Sequence, residues 1–113
     1  MATKVTTDSD RFDLFQLELI RRIAVAVKQQ MTDAGVAENK IQEATEGLTW
    51  DIAAILDGCD EELFVGKEPC VPVVTFGLNE ELTKLLISEG ASWMHEYALG
   101  VAESLFVPPQ DSK

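Results

Sequence analysis

Apolar positions recur at helical spacing over two long stretches of this chain, and over a third that glycines interrupt. In the first stretch Phe12, Phe15, Leu19, Ile23, Ala26 and Val27 share one face at about 100° per residue, and Ile20, Ala24 and Met31 widen it. Glu18, Arg21, Arg22, Val25, Lys28 and Gln29 fall on the opposite side. Ser9 or Asp10 can cap the start, Asp13 suits the positive end of the dipole, and Gly35 can end the helix in the left-handed conformation. The pattern predicts a helix over 11–34. Its apolar arc is wide enough to touch two layers, within one subunit or across a dimer interface.

The second stretch predicts a helix over 39–57, with Ile41, Ala44, Leu48, Ile52, Ile55 and Leu56 as a narrow stripe. Asn39 with Gln42 three residues on resembles a capping box, and Asp57-Gly58 closes the helix. Trp50 projects away from the stripe, beside Ala54 and Glu43. It is a candidate for packing on a neighbouring element, or for anchoring a partner subunit or a ligand.

In the third stretch Leu82, Leu86, Ile87, Trp93, Met94, Tyr97, Ala98, Val101 and Leu105 line one face, which predicts a long C-terminal helix over 79–106. Unbroken, it would be ~40 Å long at about 1.5 Å per residue, against a radius of gyration of ~13 Å for a chain of this size. It therefore pairs with another long helix or breaks at Gly90.

Between the second and third helices the period changes. Val71-Pro72-Val73-Val74-Thr75-Phe76 is rich in β-branched residues and predicts a strand, with Pro72 at its edge or start. Glu62 to Val65 is either its antiparallel partner or a single helical turn; in the second case the partner strand comes from another chain. The fold class expected is α+β: three helices with a small antiparallel β element near 62–76 between the second and third. Residues 1–113 form a single domain, with 1–8 and 107–113 expected to be loose tails.

Composition leaves that outline intact: 46% of residues are apolar and 26% charged, an ordinary globular balance. Charge narrows the partners. Nine Lys and Arg face twenty Asp and Glu, a net charge of −11. No basic patch can neutralise phosphates, so direct nucleic-acid and anionic-membrane binding are disfavoured, and a basic protein is the partner electrostatics favours. No apolar run approaches the ~20 residues of a membrane span, and the N-terminus has no signal-peptide core, which predicts a cytoplasmic location. Cys59 and Cys70 are then expected as reduced thiols, and their spacing matches no metal-binding pattern.

Candidate chemistry is sparse. His95 is the only histidine; beside Glu96 it lacks a second histidine four residues on, so no zinc-protease pattern forms. It projects to the border of the polar face and would have to serve as base for any of Ser88, Ser92, Cys59 or Cys70. The glycines form no phosphate-cradling loop. Asp57, Asp60, Glu61, Glu62 and Glu68 gather in the middle of the chain without the calcium-loop spacing, as a solvated loop or a docking surface for a basic partner. No catalytic residue, metal ligand or cofactor is expected, and the candidate binding residues are Trp50, Asp60, Glu61, Glu62 and His95. The function expected is a non-enzymatic protein-interaction or regulatory module acting as a homodimer. The alternatives are a small-ligand binder or minor enzyme with a pocket near Trp50, Trp93, Tyr97 and His95, and a structural subunit of a larger assembly.

Overall fold

Three helices carry the core. In the computed structural model, which describes residues 2–59, 63–90 and 92–107, they are α1 (Ser9–Asp33), α2 (Glu38–Leu56) and α3 (Met94–Ser104). Ile20, Ala53, Met94 and Ala98 are fully buried where the three meet, with Leu19, Ile23, Leu56, Val74, Tyr97 and Val101 packed around them. Five short strands complete an α+β fold: β1 (Lys4–Thr7), β2 (Leu63–Val65), β3 (Glu68–Cys70), β4 (Phe76–Gly77) and β5 (Lys84–Ile87). No helix among the described residues is long and apolar enough to cross a membrane.

The first two helices lie close to where periodicity puts them, but their buried faces are turned. In α1 the buried line is Phe12, Gln16, Ile20 and Ala24, at strict i, i+4 spacing, while Ala26 is exposed. In α2 it is Ile41, Thr45, Thr49, Ala53 and Ala54, which leaves Leu48 and Ile55 exposed. Small threonines and alanines let the backbones approach, so shape rather than hydrophobicity chose this face. Asp8, not Ser9 or Asp10, caps α1 by accepting from the Arg11 N–H at 3.2 Å. No side chain of its own caps α2, so the expected Asn39–Gln42 box does not form. Both helices end at a left-handed glycine, Gly35 (φ +79°) and Gly58 (φ +71°). At each, paired hydrogen bonds run from the next two amides to the last turn: Gly35 to Thr32 and Val36 to Met31, Gly58 to Ile55 and Cys59 to Ala54.

The long C-terminal helix is the main correction. Only Met94–Ser104 is helical, 11 residues, and Lys84–Ile87 is a strand. β5 is the central strand of a three-stranded sheet, parallel to β1 (Val5 opposite Leu85) and antiparallel to β4 (Phe76 opposite Leu86). Leu86 is compatible with either period, but in the sheet it is wholly buried. The Asn79 side chain holds the turn before the strand, accepting from the Thr83 amide at 3.0 Å and donating to the Thr83 hydroxyl at 2.8 Å. Leu82 completes the turn with φ +58°, a conformation a helix does not allow, and the end of its side chain packs against Gly77. Gly90 lies in the loop before α3 rather than inside a helix. Two further expectations also change. Lys4–Thr7 is an ordered strand, not a frayed tail, because β5 offers it a partner. The 71–75 run lies outside any ladder among the described residues, although exposure alternates along it as in a strand. The antiparallel element is instead the β2–β3 hairpin, Leu63 opposite Cys70 and Val65 opposite Glu68.

The sheet rests on the N-terminal half of α1. Phe76 meets Phe12 and Phe15 edge-on, at 5.1 and 5.4 Å between ring centroids. On the outer face of α1, Glu18 is held by Arg21 and Arg22 at 2.7 and 2.8 Å. Hydrogen bonds from Arg21 first, then Arg22, push its carboxyl down from 4.5 to about 2.

Two outcomes follow. Leu86→Ala should lower the unfolding free energy by about 2–5 kcal/mol in a denaturant titration, as for a large side chain removed from a closed site. The Glu18 contribution should be present above pH 4.5 and lost as pH falls through about 2, since its carboxyl is depressed in the folded state. Because the pair is exposed, salt should erase the difference between wild type and Glu18→Gln.

Candidate functional site

A carboxylate at the C-terminal end of a helix opposes the helix dipole, and Asp57 occupies that position on α2. Its side chain is fully buried. The arrangement is favourable because Asp57 serves a different helix. α3 begins without a side-chain cap of its own, and the Asp57 carboxylate stands at its positive end. Oδ2 accepts from the His95 backbone N–H at 2.7 Å and from His95 Nδ1 at 2.7 Å, and Oδ1 accepts from the Ser92 hydroxyl. A second buried side chain adds to this cap: Gln16 of α1 accepts from the Trp93 N–H at 2.9 Å and donates to Asp13 at 2.7 Å. The start of α3 is thus capped by α2 and α1 together.

The imidazole follows from that geometry. An ionised carboxylate only accepts, so the Nδ1 that faces Asp57 carries the proton and Nε2 presents its lone pair. Trp50 approaches the ring edge-on at 6.2 Å and Trp93 lies tilted against it at 5.8 Å. Both tryptophans are substantially exposed, at 40% and 53%, while the His95 side chain is 18% exposed. Trp50 stands seven residues before Asp57, two helical turns, and so on the same side of α2. The turn at Gly58 then delivers Cys59 to the same place. Its exposed Sγ lies 3.6 Å from Nδ1 and 3.9 Å from Nε2 of His95. Near-equal distances put the sulfur off the lone-pair direction of either nitrogen. A nucleophile paired to its base would instead face Nε2 alone.

Of the residues singled out from sequence, the structure brings Trp50, Trp93 and His95 together. Tyr97 does not join them; it packs on the core around Met94 and Ala98. Trp93, expected on the packing face, is exposed, and His95 is turned inward by Asp57. Asp60, Glu61 and Glu62 lie outside the described residues. Asp57, Ser92 and Gln16 carry the site, and periodicity did not single them out. The available signal was an acid at the wrong end of its helix, on the same face as the one tryptophan off the stripe. Among the described residues no group of three or more His, Cys, Asp and Glu side chains is arranged to hold a metal ion. Elsewhere, a cleft of about 180 Å³ between the start of α1 and the end of β5 is lined by Asp8, Asp13, Gln16, Glu89 and Trp93, on the other side of Gln16 from the core.

Compared with known proteins, the chain matches no family model, no curated protein and no solved structure.

If Asp57 is the cap, Asp57→Ala should destabilise the fold by about 3 kcal/mol or more, since it strands buried donors, while His95→Gln should cost only about 1 kcal/mol. Equal effects of the two substitutions in urea unfolding would contradict that assignment.

Proposed function

We propose that this chain is a non-enzymatic protein-interaction module that acts as a homodimer through its β2–β3 hairpin, within the cytoplasm. The observation that carries the proposal is the exposure of the hairpin's apolar residues. Leu63, Phe64 and Val65 on β2 are 44%, 58% and 76% exposed, and Val71 and Val73 after β3 are 58% and 63% exposed. Neighbouring positions on β2 point to opposite faces, so both faces of this strand are apolar and exposed. A two-stranded hairpin is marginal in water, and each of its edges offers unpaired backbone groups. A second copy can cover the faces and extend the ladder across a two-fold axis, an isologous contact in which the same patch meets itself.

The sequence arguments from the last helix and from the 71–76 run no longer stand as made, since that helix is short and the run pairs, among the described residues, only at Phe76 with β5 of the same chain. Hairpin exposure replaces them. The polar cluster favours the non-enzymatic role, because the Asp57 oxygens are occupied by donors of the fold itself. A net charge of −11 makes a basic protein the favoured further partner and argues against nucleic acid.

Sedimentation equilibrium at tens of micromolar, with a thiol reductant present, should give the mass of two chains. Phe64→Asp should give one chain with unchanged helical circular dichroism. A monomeric wild type would overturn the proposal.

A further inference from the structure

The Asp57 cap accounts for the buried carboxylate, for Ser92 and for the start of α3. It does not account for the thiol set against the imidazole. Helix ends deliver many residues to a protein surface, but here one turn places a thiol 3.6 and 3.9 Å from the two nitrogens of an imidazole that a buried carboxylate holds. From this juxtaposition we propose that Cys59 is a His95-assisted thiol that takes up low-molecular-weight disulfides by exchange, those carrying an ammonium group most readily.

Nδ1 of His95 is held by Asp57 at 2.7 Å, which leaves Nε2 as the ring nitrogen able to receive a proton. Sγ of Cys59 is 3.9 Å from it on an exposed side chain, and proton transfer requires that side chain to turn toward the Nε2 lone pair. The thiolate is the attacking form in exchange, and a base at this distance generates it at the moment of attack. The step balances. The Cys59 proton passes to Nε2 and Sγ bonds to one sulfur of the disulfide R–S–S–R. The S–S bond breaks, and the departing thiolate takes the proton from His95 and leaves as RSH. No other oxidant is consumed.

Ligand preference comes from the surroundings. Trp50 and Trp93 present exposed aromatic surface next to the imidazole, and an ammonium group is attracted to aromatic faces. The −11 charge of the chain also concentrates cations and repels anions. Cystamine should therefore react faster than oxidised glutathione, which carries net negative charge. Cys70 supplies an internal comparison, since it too is exposed, on strand β3 of the hairpin.

The experiment uses the full chain and intact-mass measurement of adduct formation with cystamine. Cys70→Ser reports on Cys59 alone and Cys59→Ser on Cys70 alone. The Cys70→Ser chain should react on the order of 10-fold faster or more, a modest part of what a positioned base supplies. Adding His95→Gln to it should bring the rate to that of the Cys59→Ser chain, and free imidazole should restore part of the loss. A purely structural role for His95 leaves the rate unchanged or raises it, because Cys59 is already exposed. Equal rates for the two single-cysteine chains overturn the proposal without reference to the histidine variant. So does a His95→Gln rate that stays the same or rises. Because Cys70 lies on the hairpin and dimerisation would cover it, the rates are compared in chains that also carry Phe64→Asp, so the outcome does not depend on whether the hairpin dimerises.

Discussion

The structure depends on how the short C-terminal helix is started. An 11-residue helix has little stability of its own, and its first amides have no partners within it. Here a carboxylate from α2 and an amide from α1 supply them, so forming α3 requires the other two helices to be in place. The same contacts bury Asp57 and Gln16, at 2% and 1% exposure, which is tolerable only because their polar atoms are paired. The apolar core of Ile20, Ala53, Met94 and Ala98 lies next to this cap, and the two are mutually dependent. Removing the cap frees the helix that brings Met94 and Ala98 to the core.

The site inherits its geometry from the cap. His95 is fixed because its backbone and its ring bind the same carboxylate, and Cys59 is near because Gly58 turns the chain tightly after Asp57. A Cβ at Gly58 would stand 2.6 Å from Cγ1 of Val71, so the turn packs against the chain just after the hairpin. The polar centre and the apolar hairpin are thus joined through one glycine. The protein presents a tied-down helical body and a projecting apolar ribbon, with a thiol at the junction.

Sequence periodicity located α1 and α2 to within a few residues because each runs for five turns or more without a competing pattern. It failed over 79–90 for a physical reason. Leu82, Leu86 and Ile87 fit a helix, but Leu85, Leu86 and Ile87 also form a short apolar run suited to a central strand, and β1 decides the matter from 80 positions away. Lys4–Thr7 read as a polar tail although three of its four residues are β-branched. The buried faces differ from the expected ones where small Thr45 and Thr49 replace larger apolar neighbours on α2 and where Gln16 is buried on α1 by its hydrogen bonds to Trp93 and Asp13. Trp50 and His95 were legible as unusual residues, but their meeting was not, because it is set by Asp57, whose role lies on another helix.

Amide hydrogen exchange at the start of α3 tests the central claim most directly. In an uncapped helix the first-turn amides exchange almost as fast as in an unfolded chain. Here the amides of Trp93 and His95 should be protected to nearly the same degree as those in the middle of α3, and Asp57→Asn should selectively weaken the protection of His95. Fast exchange at both positions in the wild-type chain would contradict the account.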